Sequence, residues 1–117
     1  MSYTVSADIR TAAQVVSGIV SVTPASSVQR GGRRTIGTTE VDINESAAIP
    51  SVGYIFLKNH GTVDIISVGF ATTVYVIELG PGEICLIRPP NGTDARIFCD
   101  SSGTTDVENL EYLFLAD

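Results

Sequence analysis

The chain has no tryptophan, a single histidine, a single lysine and only two cysteines in 117 residues. Without tryptophan, the core must be built from Val, Ile and Leu, helped by four Tyr and four Phe. His60, flanked by Asn59 and Gly61, reads as a turn histidine in solvent, because a metal site or a Cys–His pair needs partners converging on it. Cys85 and Cys99 are too few for a disulfide scaffold, and no Cys-x-x-Cys is present. One Lys and six Arg stand against thirteen acids, a net charge of −6. Nucleic-acid binding rests on Lys and Arg neutralising phosphates, so that role is excluded. No apolar run approaches the roughly 20 residues that span a bilayer, so no membrane role is expected. No basic region followed by an apolar core marks a signal peptide, and synthesis in a cytosol is the expectation. Gly-x-Ser-x-Gly, the dinucleotide fingerprint and the P-loop are all missing.

The composition that remains is that of one β-rich domain over residues 1–117. Hydrophobic residues make up 44% and charged residues only 17%, and so sparse a charge hints that a partner covers part of the surface. The charge is also uneven. Residues 1–34 hold Arg10, Arg30, Arg33 and Arg34 against Asp8, +3 in sum, whereas residues 35–117 hold three basic residues against twelve acids, −9. A basic N-terminal part and an acidic body can dock head to tail between copies or onto an acidic neighbour; ordinary solvated arginines account for the same pattern.

Residues 3–9 alternate Tyr3, Val5, Ala7 and Ile9 with Thr4, Ser6 and Asp8, the period of a strand. Residues 13–22 are dense in β-branched side chains around Gly18, which favours a strand over a helix. Residues 23–34, with Pro24, a Ser pair and the Gly31-Gly32 pair, read as a long loop in which the glycines supply positive φ for a sharp turn. Residues 1–34 are thus expected as a partly extended arm and loop.

From Thr35 onward short β-branched and aromatic runs follow in quick succession: 35–43, 53–58, 62–70, 74–79, 84–88, 95–100 and 107–115. Lys58-Asn-His-Gly61 fits a hairpin turn, and Gly80-Pro-Gly-Glu83 fits a turn with positive φ at Gly82. The spacing predicts an all-β chain of about eight antiparallel strands, as a two-sheet sandwich, a jelly roll or a flattened barrel. In the last run Leu110, Tyr112 and Phe114 share one face and Glu111, Leu113 and Leu115 the other. Two apolar faces suit a central strand, or one that another subunit covers.

No constellation for catalysis emerges. A hairpin centred near Gly92 would set Cys85 opposite Cys99 and Arg88 opposite Arg96; a slip by one residue is equally compatible, and two buried free thiols are expected. Glu78, Glu83, Glu108 and Glu111 read as solvent-facing acids. The Pro-Gly turn at 80–83 is similar to that of cupin-type barrels, but Ile84-Cys-Leu86 stands where the metal-binding His-x-His would follow. No catalytic, cofactor or metal residue is assigned.

Residues 52–117 resemble a type of small tailed-bacteriophage virion protein. The order Tyr54-Ile-Phe-Leu-Lys-Asn59, Val68-Gly-Phe70, Tyr75 through Leu79, Pro81-Gly-Glu83, Leu86-Ile-Arg88 and Val107 through Leu115 carries the resemblance; Ile97-Phe-Cys-Asp100 departs from the more Ala-rich stretch of that type. The resemblance implies a structural protein and not an enzyme: a capsid decoration (cement) protein on the virion surface. It would form a homo-oligomer, a trimer above other orders, and bind the major capsid protein or other virion proteins. A neck, tail or baseplate subunit is the alternative within the class. A carbohydrate-binding attachment module is another, although the 44–51 and 89–94 loops lack the Tyr or Phe it would use. The interface residues expected are Arg10, Arg30, Arg33, Arg34, Leu113 and Leu115, arginine being suited to a neighbour's carboxylates.

Overall fold

The computed structural model describes residues 2–23, 28–90, 96–103 and 108–117. Ten strands are found among them: β1 (Tyr3–Arg10), β2 (Val15–Val22), β3 (Gln29–Ile36), β4 (Val41–Asn44), β5 (Val52–Asn59), β6 (Ile66–Gly69), β7 (Ile77–Leu79), β8 (Ile84–Ile87), β9 (Arg96–Ser101) and β10 (Glu108–Ala116). No helix occurs among the described residues. The strands form three antiparallel sheets, ordered β1-β2, β3-β10-β5-β8 and β4-β9-β6-β7. Ten strands replace the expected eight or so, and the strand that composition hides is β3.

The pairing from β3 onward is nested. β3 pairs with β10, β4 with β9, β5 with β8 and β6 with β7. The first half of this region therefore lies antiparallel to the second, and successive pairs alternate between the two four-stranded sheets. Their inward residues join in one buried cluster: Ile36, Ile55, Leu57, Leu110 and Phe114 from one sheet, Ile43, Ile66, Val68, Leu79, Ile97 and Cys99 from the other. Alternation along β9, and along β5 from Gly53 onward, puts each second residue into this core.

The nested order corrects two local expectations. Cys85 pairs with Leu57 on β5, whereas Cys99 pairs with Val41 and Val68 in the other sheet. The two cysteines face no common hairpin, and both thiols are free; the Asn91-Gly92 turn invoked for that hairpin lies outside the described residues. Likewise residues 60–65 carry the chain from β5 to β6 in the opposite sheet, so Lys58–Gly61 is a crossover and not a hairpin turn.

Gly31 and Gly32 belong to β3, not to a turn, and neither has positive φ; Gly82, at +78°, does, as the Gly-Pro-Gly-Glu sequence predicts. The glycines let β3 approach β10. A Cβ on Gly31 would sit 2.9 Å from the Tyr112 carbonyl oxygen and 3.0 Å from Leu113 Cδ1. On the other face the Tyr112 phenol covers Gly32, 3.4 Å from where its Cβ would be. An aromatic ring laid over a strand glycine compensates for the missing side chain. Of the expected 23–34 loop, residues 24–27 lie outside the described residues.

The β1–β2 hairpin stands apart. Its strands make extensive contacts only with each other, and the radius of gyration, 14.8 Å, exceeds the about 13.4 Å of a compact chain this long.

Candidate interaction surfaces

Alternation on a sheet assigns each outward residue a neighbour. On the outer face of β3-β10-β5-β8, Leu113 lies between Phe56 and Gly31, and Leu115 between Tyr54 and Gln29. Phe56 is in turn opposite Leu86, and Lys58 opposite Ile84. Ile84 is 64% exposed and Leu86 38%. Leu113 and Leu115 therefore belong to an apolar outer face of six large side chains: Tyr54, Phe56, Ile84, Leu86, Leu113 and Leu115. β10 is a central strand with apolar residues on both faces.

Charged residues border that face. Glu111 lies between Lys58 and Arg33 in register, and His60 Nε2 is 2.7 Å from Glu111 Oε1. That bond holds the Glu111 carboxyl below its ordinary range. His60 is half-buried, its backbone N–H donating to the Asn109 carbonyl at 2.8 Å; the expectation of a solvated turn histidine is corrected. The crossover it begins folds back over β10, which its sequence neighbours do not reveal. At the opposite border Arg88 donates to Asp117 at 2.7 Å and lies 5.4 Å from the centre of the Tyr54 ring.

The four arginines do not form one group. Arg30, Arg33 and Arg34 line the edge strand β3, all exposed. Arg33 is registered with outward Glu111; Arg30 and Arg34 are registered with the core residues Phe114 and Leu110. Charged side chains along an open edge discourage indiscriminate strand pairing. Arg10 ends β1 and is ion-paired to Asp8 at 2.8 Å.

A polar clamp on the other sheet had no sequence signal. Glu40 accepts hydrogen bonds from Thr72 Oγ1 (2.6 Å), from the Thr73 N–H (2.8 Å) and from the Tyr75 hydroxyl. These three donors hold its carboxyl below the ordinary range, and the hydrogen bond to Glu40 in turn pushes the Tyr75 phenol up. The turn they secure contains Thr73 at φ 58°, a conformation costly for a β-branched residue. Glu40 lies more than thirty residues from its donors in sequence, so no local pattern announces it.

The hairpin is amphipathic across both strands. Tyr3, Val5 and Ala7 pair with Val22, Val20 and Gly18 on one face; Thr4, Ser6, Asp8 and Arg10 pair with Ser21, Ile19, Ser17 and Val15 on the other. Val20 is 50% exposed, Val15 58% and Ile19 74%. Its anchor is Tyr3, whose hydroxyl donates to the Ala116 carbonyl at 2.6 Å and whose ring meets Tyr54 edge-on.

Among the described residues no group of three or more His, Cys, Asp or Glu side chains is placed to hold a metal ion. Glu78 is exposed, and Glu83 accepts the Gly80 N–H at 2.9 Å within its own turn; the side chain of Glu108 lies outside the described residues. Comparison with protein-family models, with curated proteins and with solved structures returned no match.

Proposed function

We propose that this protein is a structural subunit of a bacteriophage virion, a capsid decoration protein that acts by adhesion as a homo-oligomer on the shell. The observation that carries the reading is a pair of apolar surfaces left partly open: the outer face, where exposed Ile84 and Leu86 lie beside half-buried Phe56 and Leu113, and the hairpin around exposed Val20. A chain that leaves both to solvent is short of a partner. The resemblance of residues 52–117 supplies the virion context.

On this reading the two four-stranded sheets are the layers of a sandwich, and strands β3 to β10 are wound as a jelly roll. Their nested pairing supports it, since rolling one long antiparallel hairpin produces the orders β3-β10-β5-β8 and β4-β9-β6-β7. Jelly rolls occur in viral capsid and lectin domains and in cupins, so the fold does not choose the function. Between the sheets lie large apolar side chains, Phe114 and Leu57 among them, wholly buried. That filling speaks for a tile and against a cupin-like reaction chamber.

Light scattering on the purified chain and electron microscopy of the particle that carries it test the proposal. A closed oligomer and density repeated over the shell lattice are the expected results. Density confined to one vertex would move the protein to the neck or tail. A chain monomeric at every concentration would end the adhesive reading.

A further inference from the structure

We propose that the β1–β2 hairpin of one chain lies, apolar face down, on the outer face of the β3-β10-β5-β8 sheet of a second copy. The inference rests on the adhesive reading above and names the contact that makes the oligomer.

An isolated two-stranded hairpin is marginally stable in water, and an amphipathic one gains from having its apolar face covered. Beyond the Tyr3 anchor on Tyr54 and Ala116, β1 and β2 make no extensive contact with the body. The same chain offers a second apolar β surface, 38–64% exposed at Leu86 and Ile84. A second copy brings both halves of the contact at once, with no other protein needed.

Charge points to the same occupant. The hairpin's only ionic side chains, Asp8 and Arg10, are bonded to each other, and it carries no net charge. At the borders of the receiving face Glu111 is bonded to His60, and Arg88 to Asp117. The receiving face, with Lys58 and Arg33 beside Glu111, carries mixed and not strongly one-signed charge, so each surface suits the other better than it suits a strongly charged partner.

Shape and area are compatible. The strand pairing sets Ala7 opposite Gly18 on the apolar face, and a Cβ on Gly18 would meet nothing within 4 Å. Two such small residues leave room for bulky side chains of the receiving face such as Phe56, Leu86 and Ile84. Eight-residue strands make a ribbon roughly 27 Å long and about 10 Å wide, hence on the order of 270 Å² per face. Reciprocal exchange covers two ribbons and two receiving faces, roughly 1,100 Å² in all, just above the about 1,000 Å² that a biological interface should clear. Tyr3 is the hinge post: it fixes the ribbon's base beside Tyr54, at the Leu115 end of the outer face.

The test uses V20D and L86D in the full chain. Both side chains lie outside the core, so circular dichroism and urea midpoints should stay near those of the parent. Each variant alone should self-associate at least about thirtyfold more weakly, as expected for a carboxylate forced into an apolar contact. An equimolar mixture should recover a one-to-one pair in light scattering, because V20D keeps a receiving face and L86D keeps a ribbon. If both folded variants associate like the parent, the exchange is wrong while the oligomer stands. If both weaken but the mixture recovers nothing, like surfaces meet like, and the exchange is again wrong. A parent chain that never associates overturns the adhesive reading itself.

Discussion

The side-chain amide of Asn59 donates to the Leu79 carbonyl across 2.9 Å, joining the end of β5 to the end of β7 in the opposite sheet. Asn59 is wholly buried. The same amide donates to the Asp64 carbonyl at 3.1 Å, and its Oδ1 accepts the Gly61 N–H at 2.7 Å. One side chain thus fastens the 60–65 crossover and ties the two sheets together.

Replacing Asn59 with Ala removes all three bonds and leaves the buried Leu79 carbonyl without this donor. Each net bond contributes about 1 kcal/mol, and a buried unsatisfied group costs about 1–3 kcal/mol. Asn59→Ala should lower unfolding stability by roughly 3–5 kcal/mol. Urea titration followed by far-ultraviolet circular dichroism measures it; a loss below about 1 kcal/mol would show that the amide is not the tie between sheets.

Gly31 and Gly32 should respond unequally to alanine. At Gly31 the new methyl meets backbone oxygen at 2.9 Å, at Gly32 a phenol at 3.4 Å that can shift. Gly31→Ala should destabilise by about 1–3 kcal/mol, the usual range for overpacking. Gly32→Ala should fall within about 1 kcal/mol of the parent, since the methyl also lowers the freedom of the unfolded chain. Equal urea midpoints for the two variants would contradict the close approach of β3 to β10.

The same glycines show where sequence reasoning ran out. Alternation at Tyr3–Ile9 and Leu110–Leu115 gave β1 and β10, and Pro81-Gly82 gave its turn, because those signals are local. Gly31-Gly32 also looked local and pointed to a turn. What makes it strand is Tyr112 and Leu113, eighty residues on, filling the room the glycines leave. Cys85 and Cys99 were set opposite each other because short hairpins dominate antiparallel sheets. The nested order instead sends their strands to different sheets. Leu113 and Leu115 were legible as a second apolar face, but Phe56, Ile84 and Leu86 joined them only once the register was known. Glu40 had no signal at all, its partners being Thr72, Thr73 and Tyr75.

Glu40 gives the chain an acid-sensitive contact. Its folded pKa lies below the ordinary value of 4.5. The contribution is therefore present above that value and is lost as pH falls through the folded pKa. Glu40→Gln should melt lower than the parent at pH 7, and the gap should narrow as pH drops below the ordinary glutamate range. Melting curves at pH 7, 5 and 3 supply the comparison. Because Glu111 titrates in the same direction beside His60, the difference between variant and parent is the quantity to read. A gap that widens in acid would reverse the assignment.

The two thiols should differ in reactivity. Burial pushes the Cys99 thiol up to about 12 and raises Cys85 as well. The thiolate is the nucleophile, so both should be sluggish in the native chain. Cys85, half-buried in β8 near the open edge of its sheet, should react first. Cys99, wholly buried, should wait for unfolding. With an aromatic disulfide reagent at pH 8, the native parent should release one slow equivalent and the urea-unfolded chain two. Cys85→Ser should abolish the native phase; its persistence would place Cys99 at the surface.

Two N-terminal truncations separate the adhesive ribbon from the body. Deleting residues 1–23 removes β1 and β2, which pair only with each other, and breaks the Tyr3 bond to Ala116. The body should stay folded, with a loss of about 1 kcal/mol for that bond. Deleting residues 1–34 also takes most of β3. It strips one partner from β10 along Leu110–Leu115 and bares Tyr112 and Phe114 at a new sheet edge. That cut should cost about 3 kcal/mol or more, because it uncovers large core side chains. If both forms melted alike, β3 would be dispensable to the body. If the shorter cut alone abolished folding, the hairpin would be part of the core and not an arm.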